Sequence, residues 1–223
     1  MNSIFIGDVT TAQGRVLAWV VSLFIDHAIF RLAIGNFATV IEGRLYRGNH
    51  PTPGRLARLK QRYGLTTVIN LRGATGTGSY HLSVAAAKSL GLAHHDLSMR
   101  SRMAPRRDSI LRLRDVYRGA PGPIFLHCKS GADRAGFAAG LCLLFEGRPV
   151  NEALRQLSLR YGHIKQARSG ILDAFFLRYQ RDGEGRKSFF DWLDQDYDEA
   201  ALGQDFRANG LASFINDWVL VHE

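Results

Sequence analysis

A cysteine and an arginine with five residues between them frame the one stretch of this chain whose side chains are spaced for covalent chemistry: His127-Cys128-Lys129-Ser130-Gly131-Ala132-Asp133-Arg134-Ala135-Gly136. Just upstream, Pro123-Ile124-Phe125-Leu126 reads as a short buried strand, and just downstream Phe137 to Phe145 reads as an apolar helix. A loop caught between a strand end and a helix start turns backbone N–H groups towards its mouth, with the positive end of the helix dipole behind them, and so binds an anion. A thiol at the opening of such a loop is drawn towards thiolate by the amides, the dipole and a nearby cation. Arg134, which closes the loop, carries a planar fork matched to two phosphate oxygens. Cys128 is thus a candidate nucleophile, and Lys129, Ser130, Gly131, Ala132, Asp133 and Arg134 are the candidate phosphate-binding residues. The bland alternative for Cys128, a buried structural thiol, accounts for neither Gly131 nor Arg134 at those spacings.

The elements that must position this loop can be followed along the chain. Residues 37–47 have the pattern of a hairpin turning at Glu42-Gly43. Thr52 and Pro53 make a helix cap and first helical position, and that helix runs to about residue 63, where Gly64 stops it. A buried strand over 66–71 leads into Arg72-Gly73. A helix follows at about 80–90, a strand over 92–97, an arginine-rich loop over 98–107 and a helix over about 106–118. Beyond the apolar helix the pattern is helical, at about 149–161, 168–181 and 208–220, with a break at Asp182-Gly183-Glu184-Gly185. Strands alternating with helices predict an α/β fold with a central, mostly parallel sheet of four to five strands flanked by helices. An N-terminal helical segment over 1–36 and a helical C-terminal extension flank a domain over 37–223 whose core spans about 43–160.

Composition sets outer bounds. The 223 residues are 46% apolar and 22% charged, as in an ordinary globular protein, and carry 29 Lys and Arg against 20 Asp and Glu, a net charge of +9. Anionic partners follow from that balance, although much of the excess sits on solvated helix faces. No nucleic-acid motif accompanies it. His94 and His95 have no partner at metal-ligand spacing, so neither metal nor cofactor is expected. The two cysteines, Cys128 and Cys142, fall on different elements, and bridging them would sacrifice the activated thiol, so a reducing, cytoplasmic setting is expected. Residues 16–25 form the most hydrophobic run, closed by Asp26, His27 and Arg31 and well short of the roughly 20 residues that span a bilayer. A helix over about 12–34 packed on the domain is the favoured reading. The alternative is a peripheral membrane helix over 16–34, helped by the positive charge.

With these residues in view, the chain resembles the cysteine-dependent phosphatases of the protein tyrosine and dual-specificity superfamily. His127-Cys128 to Arg134, with Gly131 in place, matches their HCxxGxxR pattern. Leu45-Tyr46-Arg47, Pro51 and Val68-Ile69-Asn70-Leu71-Arg72 resemble small bacterial and fungal members, and the likeness covers about residues 43–160. The resemblance implies attack of the Cys128 thiolate on phosphorus, a phosphocysteine held by the loop amides and Arg134, and hydrolysis by water without a metal. His127 would help set the reactivity of the cysteine, and Arg72, at a strand's C-terminal end, would support the site.

Two departures qualify that expectation. The superfamily usually places Ser or Thr directly after the arginine, to stabilise the departing thiolate, and here the residue is Ala135, with Ser130 as a possible substitute. The usual proton donor is an Asp on a loop about thirty residues before the cysteine, and the 99–105 loop has no carboxylate. Asp96 fits by count but falls within a strand. Asp133, directly before Arg134, resembles the loop aspartate of myotubularins and Sac-type phosphoinositide phosphatases. Asp108 is a third candidate, at a helix start. Arg100, Arg102, Arg106, Arg107 and Lys129 would attract further phosphates, which suits inositol phosphates or anionic lipid head groups more than phosphotyrosine peptides, with a solvated basic loop as the bland alternative. The leading expectation is a phosphorylated protein substrate, and phosphoinositide or other lipid-linked phosphates at a membrane surface are the alternative. The competing classes are a phosphate-binding module without turnover and a rhodanese-like sulfurtransferase; the preceding His and the placement of Arg134 count against the latter.

Overall fold

A computed structural model describes residues 36–207 together with Thr11, Gln13, Gly14, Val16 and Ala18. The helix expected over 208–220 lies outside the described residues, as does most of the segment 12–34. Among the described residues no helix is long and apolar enough to cross a membrane.

Five strands form one sheet: β1 (Ala38–Ile41), β2 (Leu45–Asn49), β3 (Thr67–Asn70), β4 (Ala93–Asp96) and β5 (Ile124–Cys128), in the order β1-β2-β5-β3-β4. β1 and β2 make the expected antiparallel hairpin, and every other pairing is parallel. β5 lies at the centre and is buried along its whole length. Such a strand reads as an unbroken apolar run because helices cover both faces of the sheet. Its residues alternate: Ile124, Leu126 and Cys128 join the larger core cluster, while Phe125 joins the smaller one with Tyr46, Leu56 and Val68.

Helices α1 (Pro53–Tyr63) and α2 (Gly78–Ser89) are buttressed by local caps. Thr52 Oγ1 accepts from the Arg55 N–H at 3.3 Å, and Gly64, at φ 63°, closes α1 by donating to the Lys60 carbonyl. The larger cluster is built with α3 (Arg107–Gly119), α4 (Asp133–Phe145), α5 (Val150–Arg155), α6 (Ile171–Asp182) and α7 (Phe189–Gln195), and ends on a helical segment over 199–207. Two expectations change. The helix anticipated over 149–161 stops at Arg155 and resumes as a single 3₁₀ turn at Leu159–Tyr161. The segment around Phe189-Phe190-Asp191-Trp192-Leu193 forms α7, which local periodicity had not suggested.

Parallel strands bring their C-terminal ends to one edge, and here the register sets Asn49 beside Cys128, and Asn70 between His127 and Asp96. Ligand sites in such sheets form at that edge.

Candidate active site

The loop between β5 and α4 is fastened from outside, one carbonyl at a time. Leu71 N–H donates to the His127 carbonyl at 2.8 Å, and His50 N–H to that of Lys129 at 3.3 Å. Asn36 Nδ2 donates to the Ser130 carbonyl at 2.9 Å. Arg47 Nη2 donates to the carbonyls of Gly131 and Ala132 at 2.6 and 3.1 Å. In a trans peptide the C=O of one residue and the N–H of the next point to opposite sides. Turning the carbonyls of residues 129–132 outward therefore turns the amides of residues 130–133 inward. No side chain caps the first turn of α4, so its leading N–H groups remain available to an anion. The Gly131 amide donates to Cys128 Sγ at 3.3 Å.

Two glycines make this fit possible. Gly131 has φ 78°, and a Cβ there would lie 2.7 Å from the Asn49 nitrogen. A Cβ at Gly136 would lie 2.5 Å from the Gln156 carbonyl oxygen and 3.2 Å from Arg47 Nη2. α4 is thereby seated against the strap formed by residues 156–163.

Arg47 was not singled out as a site residue by sequence reasoning, yet it is the main fastener. Its side chain is fully buried, donates through Nη1 to the Gln156 carbonyl at 2.6 Å and lies 4.2 Å above the Tyr161 ring. Burial pulls its guanidinium down to about 10, which leaves it cationic at neutral pH. Asn36 was missed too; the same Nδ2 that holds Ser130 donates to the Tyr161 carbonyl at 2.9 Å.

The anticipated residues take the following places. Cys128 is buried at the end of β5, and Arg134 lies half-buried in the first turn of α4, with no hydrogen bond or ion pair to its side chain among the described residues. Ser130 Oγ accepts from the Ala132 amide at 3.4 Å, and Ala135 is wholly buried. His127 is buried against the edge of His50; burial first, and then His50, hold its imidazole well below the usual range. It is therefore a neutral ring beside the nucleophile. The Arg72 backbone pairs with that of Ser98 in an isolated antiparallel bridge just past the strand ends.

The three carboxylates differ sharply. Asp96 accepts at both oxygens, from Asn70 Nδ2 and from Tyr80 Oη, each at 2.7 Å. Asp108 is held by Arg106 at 3.0 Å and Arg112 at 2.9 Å on the exposed start of α3. Asp133 accepts through Oδ1 from His163 Nδ1 at 2.7 Å, and the other ring nitrogen of His163 lies 2.6 Å from Asp173 Oδ2.

The anticipated basic ring divides. Arg106 is paired with Asp108, and Arg107 reaches Asp194 and the Tyr197 carbonyl. Arg100 and Arg102, joined by Arg168, line a cavity of about 620 Å³ with Met103, Ile171 and Phe206. No group of His, Cys, Asp and Glu able to hold a metal occurs among the described residues.

Comparison with known proteins follows the same lines. A family described as DSP-PTPase phosphatase fused to NAD+ kinase matches residues 34–160, more than half of the chain. No curated protein matches. Among solved structures, P. aeruginosa TpbA is similar at a TM-score of 0.51 and 21% identity, covering 65% of this chain and 84% of that one. The core catalytic domain of the S. cerevisiae PP-IP phosphatase SIW14 gives 0.52 and 15%, covering 66% and 92%. A DUF442 protein of Shewanella putrefaciens CN-32 gives 0.52 and 16%, covering 70% and 99%. At these identities the likeness is one of fold.

Proposed function

The chain belongs to the DSP-PTPase phosphatase family described as fused to NAD+ kinase, and on that premise we propose that it hydrolyses phosphomonoesters through a phosphocysteine. Cys128 Sγ attacks phosphorus in line while the ester P–O bond breaks. The equatorial oxygens rest on the amides of residues 130–133 and on the Arg134 fork, and the leaving oxygen takes a proton from a carboxylic acid. Water then attacks the phosphocysteine, the S–P bond breaks and inorganic phosphate leaves. The observation that carries this reading is the run of outward-fastened carbonyls, which leaves inward amides around a buried thiol. Ala135 offers no hydroxyl to the departing thiolate, so breakdown of the phosphoenzyme is the slow step. Rapid-mixing kinetics with p-nitrophenyl phosphate should show a burst of about one equivalent of nitrophenol before a slower steady state. Cys128→Ser should abolish both phases while retaining phosphate affinity; a serine variant that keeps full turnover would overturn the mechanism.

Arg100, Arg102 and Arg168 gather in the wall of one cavity, together with Met103, Ile171, Phe206 and the carboxylate of Glu199. This gathering of cations supports the choice of polyanionic phosphoesters as the first substrates to test. SIW14 is named as a PP-IP phosphatase, and inositol phosphates, phospholipid head groups and phosphopeptides form the panel to compare. Both cysteines are free, the state that a reducing cytoplasm preserves.

A further inference from the structure

His163 lies thirty residues beyond Asp133 in sequence, yet its ring bridges two carboxylates. Nδ1 is 2.7 Å from Asp133 Oδ1 on α4, and Nε2 is 2.6 Å from Asp173 Oδ2 on α6. The imidazole side chain has no solvent exposure, Asp173 retains 6% and Asp133 32%. A buried ring that donates through both nitrogens is an imidazolium, and two carboxylates are what such a ring needs. Burial opposes the charge, and the hydrogen bonds to Asp133 and Asp173 more than offset it, pushing the imidazole up to about 9. Among the described residues these two carboxylates, from α4 and α6, are the titratable groups that face the ring.

The arrangement leaves Asp133 half committed. Oδ1 is fixed by His163, whereas Oδ2 has no partner among the described residues. Asp133 also adjoins Arg134, the clamp, in the first turn of α4. Asp96 presents the opposite case, since both of its oxygens already accept hydrogen bonds, from Asn70 and Tyr80. A proton donor needs one oxygen free to carry and deliver the proton.

We propose that His163, held by Asp173, is a positioning residue for Asp133, and that Asp133 is the proton donor of the first step and the base of the second. This rests on the phosphocysteine reading above. In the first step a proton on Asp133 Oδ2 passes to the leaving oxygen as the S–P bond forms and the P–O bond breaks. The resulting carboxylate keeps its hydrogen bond from His163. In the second step the attacking water gives its proton to Oδ2 as the O–P bond forms and the S–P bond breaks, which restores the acid.

The test uses two esters on the full chain, p-nitrophenyl phosphate, whose leaving group departs without much help, and phenyl phosphate, whose leaving group needs a proton. His163→Asn and Asp173→Asn should slow phenyl phosphate by roughly 30-fold or more beyond any effect on the nitrophenyl ester, within the range that general acids supply. Asp133→Asn should do the same, and the Asp133→Asn/His163→Asn pair should lose no more than Asp133→Asn alone. Equal losses on both esters, additive losses in the double variant, or a leaving-group effect confined to Asp96→Asn would each overturn the assignment. A second readout does not need turnover: nitrogen NMR of the His163 ring should show an imidazolium at pH 7 that becomes neutral in Asp173→Asn, and a neutral wild-type ring would refute the positioning. If the wild-type protein hydrolyses neither ester, it is the phosphatase reading that fails, and the NMR result still decides the ring's role.

Discussion

Burying a guanidinium costs several kcal/mol unless its N–H groups find acceptors, and Arg47 spends its two terminal nitrogens on the carbonyls of Gln156, Gly131 and Ala132. Lysine keeps the charge but lacks the fork that holds two carbonyls at once. Arg47→Lys should therefore release part of the loop and lower kcat/KM on the order of 10–100-fold, in line with losing a preorganised donor set. Steady-state kinetics beside a thermal melt would check it; an unchanged kcat/KM in a folded variant would contradict it. Cys128 and Arg134 were legible in the sequence because their spacing within one loop is itself the signal. The fasteners were not: Arg47 lies 84 residues from Gly131, and Asn36 lies 94 from Ser130. Contacts at that separation leave no local periodicity to read. The same holds for His163, whose role depends on where two helices come to rest.

The broken helix between α5 and α6 shows how packing overrides propensity. Continuing the α-helix through residue 161 would draw the Gln156 carbonyl into the helix's own ladder; instead it accepts from Arg47 and sits against Gly136. Ser158 is extended and Gly162, at φ 77°, turns the strap so that His163 enters between α4 and α6. This join has a definite pH dependence. The folded imidazole stands near 9 against an ordinary value near 6.5. Its contribution to stability is therefore complete below about pH 6.5 and is lost as pH rises through about 9. The wild-type melting temperature should fall between pH 7 and pH 10 by several degrees more than that of His163→Gln. Parallel melting curves across that range give the comparison, and identical slopes would show that the ring does not couple the two helices.

Across the molecule, the parallel sheet and its flanking helices were readable from alternating patterns, but the extent of the core was not. The cluster containing Cys128 and Leu126 continues through Phe175, Phe189, Trp192 and Tyr197 to Leu202. The C-terminal helices also grip the start of α3: Arg107 N–H donates to Glu199, and Tyr197 Oη donates to the Pro105 carbonyl at 2.6 Å. Three buried aromatics of about 150–250 Å² each, at roughly 25 cal/mol per Å², amount to on the order of 10 kcal/mol. That is comparable with the whole stability of a domain. Ending the chain after Gly185 should abolish the cooperative thermal transition; a truncated chain that melts as sharply as the full one would show that α7 and the segment over 199–207 are dispensable.

The carbonyls tied down around the phosphate loop have a kinetic consequence as well. Because β2, the strap and the ends of β3 and β5 hold the loop's shape jointly, an entering oxyanion has no closure to wait for. Tungstate or vanadate should associate in a single step whose rate rises linearly with concentration, without the plateau that a slow isomerisation imposes. Discrimination among ligands would then reside in their residence times.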